Sequence, residues 1–227
     1  MSEQPFPLIL ITSPEDFADE VVLVETMFRR GLQRLHLRKP RHDARSLQRW
    51  LLGLSPEFRA QVVLHGHPEL VQDFGLAGIH GILPEYMRCE GTHSASVHSF
   101  SELSTIADGY NYLFLSPIFD SYSKTGYSAA FSADEIQSEL AAWNTIFPAK
   151  TACYALGGVD AERLPRLVKW GFAGAAVLGA VWNSMDPLRA WDELYQTSFV
   201  VHGLPAPEHN PIESWREIQA QRRGDGR

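Results

Sequence analysis

The sequence predicts a (β/α)8 barrel in a single domain, residues 1–197, followed by a C-terminal tail, residues 198–227. Two observations carry that expectation. Short apolar runs alternate with longer amphipathic stretches between Leu8 and Gln196, and strands that alternate with helices pair in parallel, with the helices covering the sheet. Eight such units follow one another at even spacing, and a chain of 227 residues is long enough to close them around one large core. A doubly wound open sheet is the alternative topology; the count and the spacing favour the closed ring.

The strand-like runs are 8–13, 34–39, 61–65, 78–83, 92–98, 112–118, 151–156 and 174–180, each short and rich in aliphatic or aromatic residues. Helical patterns lie between them at 16–30, 44–54, 68–74, 101–107, 133–147, 161–170 and 187–196. Ser13-Pro14-Glu15-Asp16, Ser132 with Glu135, and Asp160 before Ala161 read as helix starts, because a short side-chain oxygen accepts an orphan amide hydrogen. Gly31, Gly75, Gly109 and Gly171 stand where helices should stop. The fourth unit is the weakest, since 84–91 is too short for a good helix. Beyond Gln196 the periodicity fades, and 212–223 reads as a polar, helix-like end of the tail.

A hydrophobic fraction of 44% and a charged fraction of 21% belong to an ordinary soluble globular protein. The formal charge of −7 argues against general nucleic-acid binding while leaving room for a local basic pocket. Two cysteines, Cys89 and Cys153, without a CxxC pattern, fit a reducing compartment. The opening stretch MSEQPFPLILITSPEDF has no basic leader, and its apolar run is too short for a signal or a membrane span. The expectation is a cytoplasmic protein with no membrane partner; an assembly of identical chains is compatible with it.

In parallel barrels the chemistry sits at the carboxyl ends of the strands, and here those ends are polar. The second carries His36, Arg38 and Lys39, the third His65-Gly66-His67, the fourth His80 with Glu85 beyond, and the fifth Ser96 and His98. The sixth runs into SPIFDSYSK, a loop dense in hydroxyls around Lys124. Strand alternation puts His36 and Arg38 on one face, and Ser96 and His98 on another shared face. Arg38, Lys39 and Lys124 converging on an apolar floor would be costly without an anion; solvated rim residues are the alternative. Gly157-Gly158 before Asp160, and Gly179-Ala180 after the eighth strand, offer backbone amides that no side chain screens from a phosphate. The histidines raise a metal site, with His65 and His67 on one strand face and His36, His80 or His98 nearby. Polar groups satisfied at strand ends are the other reading, which the lack of a local carboxylate favours.

At these residues the chain resembles the thiamine phosphate synthase and thiazole tautomerase superfamily, from about Leu8 to Tyr195. SPIFDSYSK is similar to the synthase pattern GPIxxTxTK, with Ser121 and Ser123 in place of threonines and Lys124 kept. SVHSFSEL, LGGV and AVLGAV resemble SxHxxxE, IGGI and vxSAI in the same order, and RLHLRKP resembles the second-strand QxREK.

The resemblance implies a transferase that couples a pyrimidine-methyl pyrophosphate to a thiazole phosphate. Arg38, Lys124 and His98 would be catalytic, and His36, Lys39, Ser96, Ser121 and Ser123 would line the pyrophosphate. Gly157, Gly158, Gly179 and Ala180 would hold phosphate, and Mg2+ would sit at Glu85. The pattern departs from the family at several points. An Asn-Asp pair on the third strand becomes His65-Gly66, the fourth-strand GQxD becomes Ile82-Leu83-Pro84-Glu85, and the second-strand Glu-Lys becomes Lys39-Pro40. His36 and SVHS lean toward the tautomerase branch, yet Pro117 stands where that branch keeps an acid/base histidine; His98 or His36 would then have to serve. A non-catalytic binder of the same phosphate esters is the third alternative.

Overall fold

The computed structural model describes residues 4–82, 84, 89–120, 131–146 and 151–207. Eight parallel strands close a barrel in sequence order: β1 (Leu8–Ile11), β2 (Leu35–Leu37), β3 (Val62–His65), β4 (Gly78–His80), β5 (Thr92–Val97), β6 (Tyr112–Leu115), β7 (Ala152–Ala155) and β8 (Gly174–Val177). The ring is sealed by β8 against β1, with Leu8 opposite Ala175 and Leu10 opposite Val177. The topology is therefore the TIM barrel that the alternation predicts. Each strand is shorter than its apolar run; on β1, β2 and β5 it is polar residues at the run's end, such as Thr12, Arg38 and His98, that leave the ladder to form the rim.

Strand periodicity sorts the side chains into two cores. Leu10, Leu35, Leu37, Val62, Leu64, Leu113, Leu115, Ala155 and Val177 point outward and are fully or almost fully buried under the helices. Ile9, Ile11, Tyr112, Phe114 and Ala176 point inward and pack with Tyr154, Leu156 and Leu178 inside the ring.

The helices are α1 (Glu20–Arg29), α2 (Ala44–Gly53), α3 (Pro56–Arg59), α4 (Glu69–Asp73), α5 (Phe100–Ile106), α6 (Ala133–Ile146), α7 (Leu164–Trp170), α8 (Gly179–Trp182) and α9 (Pro187–Val200), with a 3-10 turn at Ala161–Arg163 before α7. Two expected caps form. The Ser132 hydroxyl accepts from the Glu135 amide at 3.3 Å while the Glu135 carboxylate accepts from the Ser132 amide at 3.4 Å, and Asp160 accepts from the Arg163 amide at 3.0 Å. The first helix starts later than expected, at Glu20 rather than Asp16, because Asp19 turns the chain through a left-handed conformation (φ 57°).

The eighth strand also ends earlier than its apolar run, since Gly179-Ala180 opens α8 instead of extending the sheet. The last helix passes the expected boundary at 197/198. Ser198 is 1% exposed and its carbonyl accepts from the Phe6 amide at 2.8 Å, so this segment packs as part of the barrel. The helix-like stretch 212–223 lies outside the described residues. Among the described residues no helix is long and apolar enough to cross a membrane.

Candidate active site

A row of inward positions on β2 to β6 is polar where the opposite wall is apolar. His36, His65 and His80 come from three adjacent strands, with His65 directly opposite His80 in the β3–β4 register. His36 is completely buried. Its Nδ1 shares a hydrogen bond with His65 Nε2 at 2.9 Å, and its Nε2 shares one with the Tyr112 hydroxyl at 2.6 Å. His80 stacks on His65 with ring centroids 4.1 Å apart. Its two nitrogens reach the hydroxyls of Ser94, at 2.9 Å, and Ser96, at 3.2 Å. Phe114 closes the floor against His36 and His80.

Burial sets the protonation of this group. Desolvation is the main cause that drives His36 and His65 well below the usual imidazole range, with neighbouring imidazoles and the Arg34 and Arg38 cations adding to it. Desolvation, then Arg38, brings His80 down to about 4. All three are neutral at physiological pH. Burial also pushes the Tyr112 hydroxyl upward, so it remains a phenol.

Arg38 follows on the same face as His36, at the end of β2, and is exposed. Its backbone is pinned by Thr12, whose hydroxyl accepts from the Arg38 amide at 2.9 Å and donates to the Arg38 carbonyl at 3.1 Å. Among the described residues no carboxylate pairs with its guanidinium, which leaves the charge available at the mouth.

Lys39, expected beside Arg38, is not there. It is one residue out of phase, so it points outward between β2 and α1. Its ammonium donates to Glu20 and to the Glu15 carbonyl with only 1% of the side chain exposed. His36 and Ser96, expected to line pyrophosphate directly, are engaged below the mouth with Tyr112 and His65, and with His80. The expected pairing of His65 with His67 also fails: Gly66 (φ 80°) and His67 (φ 52°) turn the chain, and His67 pairs with Glu69 at 3.0 Å.

On the opposite rim, Gly157-Gly158 meets the start of the sixth-strand loop. The Gly157 carbonyl accepts from the Phe119 amide at 3.1 Å, and Leu156 accepts from Ile118 at 3.0 Å. A Cβ at Gly158 would stand 2.5 Å from the Asp120 carbonyl oxygen, so only glycine permits this approach. Arg163 lies over the Phe119 ring at 5.0 Å and donates to the Gly158 carbonyl, clipping the two loops together. Among the described residues no backbone carbonyl accepts from the amides of Gly157, Gly158, Gly179 or Ala180. A cavity of about 260 Å3 next to Ala180 is lined by Asp160, Glu162 and Glu193, and that charge is wrong for phosphate. His98 is exposed at the end of β5, where its Nδ1 lies 2.9 Å from the Ser116 carbonyl oxygen and its amide donates to Glu102. Ser121, Ser123, Lys124 and Glu85 lie outside the described residues.

Tyr112, Ser94 and Thr12 were not singled out in the sequence. The signal for the first two was parity: Tyr112 and Ser94 occupy inward positions on their strands in step with the histidines.

Mg2+ takes oxygen ligands in near-octahedral array. The described residues at the ends of β3 and β4 offer imidazole nitrogens from His65 and His80 instead, and Gly66 has no side chain to give. These residues do not fit Mg2+.

A family model described as thiamine monophosphate synthase matches residues 8–181, from β1 into α8. The chain belongs to the thiamine monophosphate synthase family. The thiamine-phosphate synthase of Thermus thermophilus is 26% identical over 170 residues, which cover 70% of this chain and 80% of that protein. A solved thiamine phosphate pyrophosphorylase from Bacteroides thetaiotaomicron superposes with a TM-score of 0.72 at 31% identity, covering 84% of this chain and 96% of that one. The thiamine phosphate pyrophosphorylase from Pyrococcus furiosus, 19% identical with a TM-score of 0.71 over 86% of this chain and 96% of its own, shares the fold.

Proposed function

We propose that this chain is a transferase of the thiamine phosphate synthase type, working in the cytoplasm on small phosphate and pyrophosphate esters. The carbon–oxygen bond between the pyrimidine methylene and its pyrophosphate breaks, with the electron pair leaving on pyrophosphate. The thiazole nitrogen then donates its lone pair to that methylene, giving thiamine phosphate. The observation that carries this is the family match, which runs through all eight strands and so through the whole rim from which such a site is built.

The slow step is charge separation, so the chain's task is to receive a growing negative charge on the leaving oxygens. A fixed cation does this without reorganising at the moment of reaction. Arg38 supplies it, held by Thr12 and unopposed by any described carboxylate. Lys124 and the hydroxyls of Ser121 and Ser123 would complete the clamp from the sixth-strand loop, the lysine as a point charge beside the forked guanidinium. The thiazole phosphate would lie across the rim on the amides of Gly157, Gly158, Gly179 and Ala180. No step is assigned to Mg2+.

The test is release of pyrophosphate by the purified protein given both substrates and divalent cations. We expect stoichiometric pyrophosphate and thiamine phosphate. Arg38→Ala and Lys124→Ala should each lower kcat by about 100-fold or more, the loss typical of removing one charge-stabilising donor. A wild-type protein that releases no pyrophosphate is not a transferase.

One observation favours a second reading. His98, held through Nδ1 at the rim, is placed for proton transfer, and the described ends of β3 and β4 offer imidazoles rather than carboxylates to a magnesium pyrophosphate. Aromatisation of the thiazole tautomer without pyrophosphate loss, abolished in His98→Asn, would establish that isomerase instead.

A further inference from the structure

The inside of a parallel barrel is normally filled by layers of branched aliphatic side chains. Here Ile9, Ile11, Phe114 and Ala176 fill one side, and three imidazoles fill the other. Placing three polar rings in a core is costly unless their nitrogens are occupied. We propose that His36, His65 and His80 form a binding site for a divalent transition-metal ion of the zinc class.

Donor type, distance, outer support and access all point this way. One nitrogen from each of the three residues lies within 4.8 Å of the other two. A tetrahedral ion at the usual zinc–nitrogen bond length spaces its ligands by about 3.4 Å, so the His36 Nδ1 to His65 Nε2 edge, at 2.9 Å, is already short enough. The two edges to His80 lie within 4.8 Å, and a turn of its ring off one of its two serines would bring them toward that spacing.

The donors are all imidazole, which suits zinc, cobalt, nickel or iron and not magnesium. The outer support is built. With His36 Nδ1 on the metal, Nε2 donates to the Tyr112 hydroxyl at 2.6 Å, and a serine hydroxyl holds the remaining nitrogen of His80. Such partners fix ring orientation and raise ligand basicity. His36 is sealed, whereas His65 and His80 are partly exposed, so the fourth coordination position faces the mouth. An anion taken there would meet Arg38. Three donors and one open position is the ligand count of a catalytic rather than a structural zinc site.

This inference stands on the cluster alone and holds whether or not the chain is a transferase. The experiment uses the full-length, tag-free protein, stripped with a chelator and dialysed, then titrated with Co2+ as a visible probe and with Zn2+ by calorimetry. We expect one metal ion per chain and the intense d–d absorption of a four- or five-coordinate cobalt site, bleached by one equivalent of Zn2+. His65→Asn should weaken Zn2+ binding by at least 100-fold. Tyr112→Phe should weaken it by about 10- to 100-fold while keeping the cobalt spectrum. His67→Ala, which removes a half-buried imidazole outside the cluster, should change neither. Should His36→Asn fail to fold, His65→Asn at the partly open edge decides alone. A wild-type protein that gives no cobalt band and no saturable zinc heat overturns the proposal. So does zinc binding of unchanged affinity in His65→Asn, which would place the metal elsewhere.

Discussion

The Lys39 ammonium lies 2.8 Å from a Glu20 carboxylate oxygen, and the two side chains are 1% and 3% exposed. The same carboxylate accepts from Trp50 Nε1 at 2.9 Å, and the ammonium donates to the Glu15 carbonyl at 2.8 Å. A cation that a linear reading assigns to substrate is thus a structural rivet between β2, α1 and α2. Desolvation raises the Glu20 carboxyl above its ordinary range even with Lys39 beside it, so the pair is held against the preference of its surroundings.

Removing one partner strands the other. Lys39→Met should lower unfolding free energy by about 3–5 kcal/mol, the usual consequence of leaving one buried charge alone. The double variant Glu20→Leu/Lys39→Met should recover most of it. Urea denaturation of the three variants checks this. Equal losses in single and double variants would refute the coupling.

Chelated protein should lose stability as pH falls below 6.5. Above that value the histidines are neutral in both folded and unfolded chains. Below it the unfolded chain takes up protons, whereas the folded cluster does not, so stability falls by about 1.4 kcal/mol per pH unit for each such histidine. For His80 the loss runs from 6.5 to about 4 and totals roughly 3 kcal/mol. His36 and His65 add to it in the same direction. The groups facing the rings are Arg34, Arg38, Tyr112 and each other, none of which supplies a compensating negative charge. Denaturation midpoints between pH 7.5 and 5 measure the slope; a flat profile would show the rings charging without penalty.

Gly158→Ala places a methyl at φ 63° within 2.5 Å of the Asp120 carbonyl oxygen. The sixth-strand loop must move to admit it. The expected cost is about 1–3 kcal/mol of stability, with pyrophosphate release falling at least tenfold because the two rims lose their register. Gly66→Ala, also at positive φ but with open space around it, should disturb stability less and leave that register intact.

Thr12→Val removes both hydrogen bonds that hold the Arg38 backbone. Stability should drop by about 1–2 kcal/mol. The kinetic signature of a positioning residue is a lower kcat/KM for coupling, while the affinity for the thiazole phosphate is unchanged. Thr12→Ser should restore both.

The barrel was legible because its determinants are local. Alternation, caps such as Ser132 with Glu135, and positive-φ glycines such as Gly31 and Gly171 each act within a few residues. The site was legible only in part. Parity put His36 on the inner face with Arg38, and the same parity excludes Lys39, so grouping it with Arg38 by proximity in sequence misassigned it. The histidine cluster depends on which inward residues share a layer after closure, and that is set by strand stagger over long separations. His65 and His67 looked like partners because residues two positions apart share a face on an ideal strand; Gly66 ends the strand and breaks the assumption. Gly179-Ala180 read as sheet because small apolar residues do not distinguish a strand end from the first turn of a helix.

The bond from the Phe6 amide to the Ser198 carbonyl, together with the β1–β8 ladder, ties the start of the barrel to segments made much later. A ribosome-tethered chain can assemble its first strands and their covering helices early, yet β1 keeps an unpaired edge until residue 177 has left the exit tunnel, and Phe6 waits for Ser198. Translation speed between β1 and residue 177 therefore sets how long that edge is open to wrong partners, and chaperone demand should concentrate there.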